Sequence, residues 1–360
     1  MDVVEARPAD WRRDPFTPVI EGGYLFGRGS ADMKLDDTVA IATLIELKRQ
    51  GLRPRRGIVL ALSGDEETRM KTSAALADSL SDADLVLNVD GTSGVLNEAT
   101  GAPEYFTWQG AEKTYADFQL EVTNPGGHSS RPREDNAINE LAAALVRIGA
   151  YHFTPELNDL TRSYFNSAAQ YEPPEIGAAM RAFAADPSDA RAVATLRASP
   201  DTVGSIGTTC VATMIDGGHA LNALPQRAQA NINCRIFPGH SRPEIMARLK
   251  EVAAEPKLTV TDVSEGSVAT DASPMRADLI SAVTRAMAQV YPGVPVFPSM
   301  ASGASDSMWF RSHHVASYGV SPMFMKKSDD FSHGLNERIP IANIRPSIDF
   351  FLSVIPDLSK

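Results

Sequence analysis

Two short apolar runs, each ending in acid, constrain this chain more than any other feature. Residues 57–63 read GIVLALS and lead through Gly64 into Asp65-Glu66-Glu67, while Leu85-Val86-Leu87-Asn88-Val89 leads into Asp90-Gly91. Short continuous apolar runs bounded by turn formers predict buried strands. Between and before them lie helical patterns. Residues 32–50 place Val39, Ala42, Leu44, Ile45 and Leu47 on one face, with Gly51 in place as the stop, and a second helical stretch falls around 72–79. Strand and helix patterns that alternate in this way predict an α/β fold with a parallel or mixed sheet covered by helices.

From about Lys113 the pattern changes. An alternating strand over 115–122, a Gly-rich turn with His128, a long helix and further alternating strands around Cys210 and over 228–237 predict a separate α+β unit. Residues 155–203 are polar, Ala-rich and low in Gly, which predicts a helical insertion rather than a linker. After Ser273-Pro274 a helical pattern resumes over 277–290, and a strand, a loop and a helix close the chain near Ile355. The expected organisation is one domain inserted into another: residues 1–112 and 269–360 form the first, and 113–268 form the second. A length of 360 residues fits two domains.

Composition excludes several classes of partner. With 43% hydrophobic and 22% charged residues and no apolar run long enough to span a bilayer, membrane insertion is not expected. The net charge of -11 and the scattered Lys and Arg residues leave no basic stripe for nucleic acid. The two cysteines, Cys210 and Cys234, have neither metal-ligand spacing nor the density of a disulfide scaffold, so they read as small buried hydrophobes. The opening MDVVEARPADW has neither the basic segment nor the apolar core of a secretion signal, and the compartment stays undecided.

The chemistry lies in the acids. Ligands of open α/β sheets bind beyond the carboxyl ends of the strands, so three consecutive carboxylates at Asp65-Glu66-Glu67, with Asp90 after the next strand, mark a place for a divalent cation or cationic substrate. Asp32 in GRGSADMK heads the first helix, and Gly27 and Gly29 let the backbone turn tightly beside it. Each acid alone is better explained as a solvated turn or a helix-dipole partner, but their convergence on one sheet edge is not. Zinc sites with an open position mix carboxylate with imidazole, and His333, in the polar loop FSHGLNE, supplies the nitrogen.

The runs GRGSADMK, SGDEE, LNVDG, GGHSSRP, HALNALP, CRIFPG and SHGLNERIP follow one another as in the dinuclear zinc peptidase superfamily of carboxypeptidases, aminoacylases and desuccinylases, which the chain resembles over nearly its whole length. The flanks WRRDPF and EKTYADF look most like its carboxypeptidase S and N-acyl amino acid hydrolase branch. The resemblance implies a zinc-exopeptidase-like catalytic domain with an inserted lid and dimerisation domain, and hydrolysis of a peptide or N-acyl amino acid amide. It implies two zinc ions bridged by Asp32, with Glu67 and His333 as ligands of one ion and Asp90 as a ligand of the other. Glu66 matches the general base. His128 matches a histidine offered to the substrate carbonyl across a homodimer interface, and Asn222 and Arg235 match substrate contacts, Arg235 as a clamp on a terminal carboxylate. The loop Gly303-Ala304-Ser305-Asp306 stands where the family has a Thr-containing substrate loop, so Gly303 is assigned to the substrate side.

One departure bears on activity. The family's first motif is His-x-Asp, and Asp2 matches its orienting aspartate, Met1 its middle residue, and the histidine would precede both. Family members also carry further helix and strand before that motif. The expectation is that the N-terminal part of the catalytic domain is missing, that the Asp90 side of the site is impaired, and that the edge exposed by missing strands promotes aggregation. The rival reading is a non-catalytic zinc or small-ligand binding pseudoenzyme. A His codon in frame before Met1 favours the enzyme, whereas an in-frame stop favours the rival.

Overall fold

The structure, a computed structural model, describes residues 2–91 and 93–360. Its large sheet is mixed. The strands run in the order Phe324–Met325, Gly94–Leu96, Pro103–Glu112, Ala316–Gly319 and Leu85–Asn88, and Val296–Ala301 pairs in parallel with Pro103–Glu112. Two further pairs are parallel, Ala316–Gly319 with Leu85–Asn88 and Phe324–Met325 with Gly94–Leu96. Pro103–Glu112 is buried almost from end to end, as expected of a strand covered on both faces. Adjacent residues of a strand point to opposite sides, and Tyr105 and Phe106 accordingly join different cores. Phe106 packs with Trp108, Tyr318, Phe350 and Phe351 beneath the helices Ala277–Val290 and Ile344–Leu358. Tyr105 packs with Phe297, Phe165 and Phe183 beneath the helices Asp159–Ala168 and Pro174–Ala185. The helical insertion expected at 155–203 therefore lies against the large sheet.

A second, antiparallel sheet has the order Thr259–Asp262, Thr114–Thr123, Arg227–Ile236, Thr209–Gly217. Burial alternates along its two central strands, and the inner residues Phe118, Leu120, Ile232 and Cys234 meet the helices Ala137–Ala150 and Arg242–Ala253. None of the described helices is long and apolar enough to cross a membrane.

Three expectations need correction. The first helix begins at Leu35, not at Asp32: Asp32 and Met33 have φ/ψ of -123°/91° and -142°/34°, outside the helical region, so Asp32 belongs to the loop before Leu35–Arg49. Gly51, at φ +79°, follows its end as expected. Residues 57–63 form no regular element and join no ladder among the described residues, and Ile58, Val59, Leu60 and Leu62 are exposed by 39–67%. An apolar run predicts a strand only if neighbours bond its backbone; among the described residues Leu85–Asn88 is laddered on one edge only, and both segments line one cavity of about 610 Å³. Finally, Cys210 and Cys234 are joined in a disulfide. They face each other directly across the pair Thr209–Gly217 and Arg227–Ile236, with Cα atoms 4.1 Å apart, a juxtaposition created by strand register and invisible in their spacing.

Candidate metal centre

The acids reach one place through three loops. Gly27 N donates to Glu337 O at 3.0 Å and Arg28 N to Pro15 O at 2.8 Å, which ties the GRGSAD loop to two other segments of the chain. At Gly29, with φ +80°, a Cβ would lie 2.4 Å from Val3 Cγ1, so the turn requires glycine. The second loop splits the three consecutive acids. Asp65 turns away and accepts Lys71 N at 2.8 Å and Thr72 N at 2.9 Å, which starts the helix Lys71–Ser79. Glu66 and Glu67 are held instead by Asp2, whose carboxylate accepts their N–H groups at 3.1 and 3.2 Å. The third loop carries His333 in the left-handed region at φ +61°.

His333 Nε2 stands 2.9 Å from Asp32 Oδ2 and 3.1 Å from Glu67 Oε2. One potential ligand atom from each of Asp32, Glu67 and His333 lies within 4.8 Å of the other two. Asp2, Glu66, Asp90, Asp37 and Asp306 line the same cavity as Asp32 and Glu67. So many acids raise one another: burial first, then the charges of Asp90, Asp306, Glu67 and Asp32, push Glu66 up to about 9. Burial and the Asp32 charge push Asp90 well above the usual carboxylate range. Asp32 is also raised, by burial, with His333 opposing. An acid-rich cavity, with one imidazole against two of its carboxylates, fits a divalent cation.

The remaining sequence-predicted residues lie elsewhere or stand apart from the triad. Asp90 lines the cavity but is not among the three clustered ligands. The metal-ligating histidine expected before Met1 lies outside the described residues, and Asp2, expected to orient it, organises the Glu66-Glu67 turn. His128 and Asn222 are both exposed and meet at a short pairing of Gly127–His128 with Ala223–Leu224, where Ser129 N donates to Asn222 O at 3.0 Å. Ser130 Oγ lies 2.8 Å from His128 Nδ1. Arg235 stacks over Tyr115 at 4.9 Å from the ring centre, on the second sheet. Gly303 is exposed in the loop after Val296–Ala301, and three residues on, Asp306 accepts Ser63 Oγ at 2.7 Å inside the cavity. Sequence reasoning passed over Asp306 and the buried pair Arg28 and Glu337, although all three lie within runs it had singled out.

A mixed α/β sheet with two carboxylates and an imidazole gathered beside an acid-lined cavity defines the class: an α/β protein with a site suited to a divalent cation. The chain belongs to peptidase family M20/M25/M40, whose model matches residues 1–357. It is 26% identical over 373 residues to the probable carboxypeptidase S-like 2 of Dictyostelium discoideum, an alignment that covers 100% of this chain and 70% of that protein. It is 27% identical over 368 residues to the N-fatty-acyl-amino acid synthase/hydrolase PM20D1 of Xenopus tropicalis, covering 99% and 70%. The fold matches that of an M20 family metallo-carboxypeptidase, Sso-CP2 from Sulfolobus solfataricus, with a TM-score of 0.69 at 17% identity over 99% of this chain and 82% of that one.

Proposed function

We propose that the protein hydrolyses a peptide or N-acyl amino acid amide bond, using zinc held by Asp32, Glu67 and His333. The observation that carries this reading is the convergence of those three side chains, drawn from three distant loops. Zinc there would polarise the scissile carbonyl and acidify water. Glu66, beside the triad in the same cavity, is the general base: with a cation bound among these acids its carboxylate would be ionised, and could take a proton from water and pass it to the leaving nitrogen. Arg235 would clamp a terminal carboxylate, and the Gly303 loop would bound the substrate. The test is turnover of a panel of dipeptides and N-acyl amino acids, with and without a chelator, by the wild type and by Glu66→Gln; a variant that keeps its turnover removes Glu66 as the base.

A second zinc, bridged by Asp32 and held by Asp90, belongs to this proposal. The support is the cavity that Asp90 lines together with Asp32, Glu66 and Glu67. The rival reading is a non-catalytic zinc-binding protein, and the place of Asp90 outside the three clustered ligands favours it. A zinc count on the purified chain, with turnover measured alongside, separates the cases: two tightly held ions with turnover support the paired site, and one ion without turnover favours the pseudoenzyme.

The second sheet would act as lid and dimerisation domain. Its edge strand Thr209–Gly217 exposes Val211, Met214 and Ile215, the kind of edge that a second copy covers. In such a homodimer the exposed His128 would be offered to the neighbour's substrate as an oxyanion donor, with Asn222 beside it.

A further inference from the structure

Glu337 is a fully buried carboxylate, and it touches none of the groups assigned to metal or substrate through its side chain except by way of backbone. Its Oε2 accepts Arg28 Nη1 at 2.7 Å and Gly29 N at 3.0 Å, and its Oε1 accepts Ala31 N at 2.8 Å and Asp32 N at 3.0 Å. Four donors of the loop that ends in Asp32 therefore converge on a single side chain. Arg28 extends the connection, donating from Nη2 to His333 O at 3.3 Å, and its guanidinium lies 5.0 Å from the centre of the Trp11 ring. Glu337 is itself fixed by the strand that follows it, Arg338–Pro340, which pairs antiparallel with Tyr24–Phe26.

We propose that Glu337, acting with Arg28, is a positioning residue that sets the distance between Asp32 and His333. The inference rests on the reading of Asp32, Glu67 and His333 as a metal centre. Asp32 and His333 sit on loops that are not helical or laddered at those positions, and His333 adopts a left-handed backbone, so neither ligand is placed by regular structure. One buried ion pair reaches both loops: the carboxylate holds the Asp32 backbone and the guanidinium holds the His333 carbonyl. Partners that hold ligands in place tune metal affinity without touching the ion.

The test uses Glu337→Gln, Arg28→Lys and a control, Val354→Ala, which opens the main core without touching either loop. Zinc affinity is measured by competition with a chromophoric chelator and ligand geometry by the visible spectrum of the cobalt-loaded chain, each well below the melting temperature of the apo variant. Glu337→Gln is expected to weaken zinc binding by roughly ten- to a hundredfold and to alter the cobalt spectrum, while Val354→Ala melts earlier but keeps wild-type affinity and spectrum. Should Glu337→Gln fail to fold, Arg28→Lys decides: it retains the charge but cannot span both arms, and a loss of at least about threefold is expected. Wild-type affinity in the folded Glu337 or Arg28 variant overturns the proposal alone; no zinc binding by the wild-type chain overturns the metal centre and this proposal together.

Discussion

His333 Nε2 and Glu67 Oε2 lie 3.1 Å apart although 266 positions separate the two residues in the chain, and Asp32 Oδ2 is 2.9 Å from the same nitrogen. His333 contributes the only nitrogen of the cluster. Replacing it with alanine leaves two carboxylates to repel each other and to hold a cation alone. Chelation of the wild type is expected to abolish amide hydrolysis and added zinc to restore it. In His333→Ala, kcat/KM is expected to stay at least about a hundredfold lower after zinc is added, a loss of about 2.7 kcal/mol in transition-state stabilisation. Full restoration in the variant would remove His333 from the site.

Lys113 gives a pH-dependent prediction away from that site. Its ammonium is fully buried, donates to Gly207 O at 2.8 Å and Thr209 Oγ1 at 3.1 Å, and is pushed down to about 7 by burial and by the charge of Arg235. In the unfolded chain the same group keeps its proton to about pH 10.4. Between those values the unfolded state binds more protons, so stability rises with pH across that window, and the full burial penalty is felt below it. Lys113→Met has no such proton. Its stability relative to the wild type is expected to fall by about 3 kcal/mol between about pH 6 and about pH 9.5, read by urea unfolding. A pH-independent difference would show that Lys113 stays charged when folded.

The disulfide is tested by thiol counting. With Cys210 and Cys234 joined across adjacent strands, the unfolded but unreduced chain is expected to show no reactive thiol, and the reduced chain two. The link closes a loop with a sequence separation of 24, and its loss by Cys210→Ala with Cys234→Ala is expected to cost on the order of 3 kcal/mol, seen as a lower melting temperature with unchanged zinc affinity. Two free thiols before reduction would refute the pairing.

What the sequence shows and what it hides follow one physical division. Local pattern located the strand Leu85–Asn88, the helix Ala277–Val290 and the acids that follow apolar runs, because side-chain period and capping residues act over a few positions. It misread residues 57–63, since an apolar run cannot report whether a neighbouring backbone is there to bond it. The cysteine pair escaped for a related reason: register between Thr209–Gly217 and Arg227–Ile236 brings the two together, and nothing in their spacing encodes register. Asp32 and His333 were legible from residue chemistry and family likeness. Arg28 and Glu337 were not, because a buried charge is explained only by its partner, here 309 positions away.

The edge strand Thr209–Gly217 carries the last prediction. Val211, Met214 and Ile215 are 58%, 71% and 66% exposed, and the helix Ala137–Ala150, which packs near this strand, adds exposed Ile138 and Val146. An edge with free backbone groups and apolar side chains pairs with another chain unless charge prevents it. The two central strands of that sheet put their polar residues, Asp117, Asn231 and Asn233, into hydrogen bonds with one another, so the apolar surface is concentrated at the edge. The wild type is therefore expected to sediment as a dimer at micromolar concentration. Met214→Lys with Ile215→Lys places like charges where a symmetric partner would bring its own copies, and is expected to weaken dimerisation by at least about tenfold, about 1.4 kcal/mol, while leaving zinc affinity unchanged. If His128 serves the neighbouring subunit, dilution of that variant to monomer lowers kcat/KM, and mixing it with a His128→Ala chain fails to rescue turnover. A wild type that stays monomeric, or a charged variant that dimerises as well as the wild type, would remove this edge as the interface.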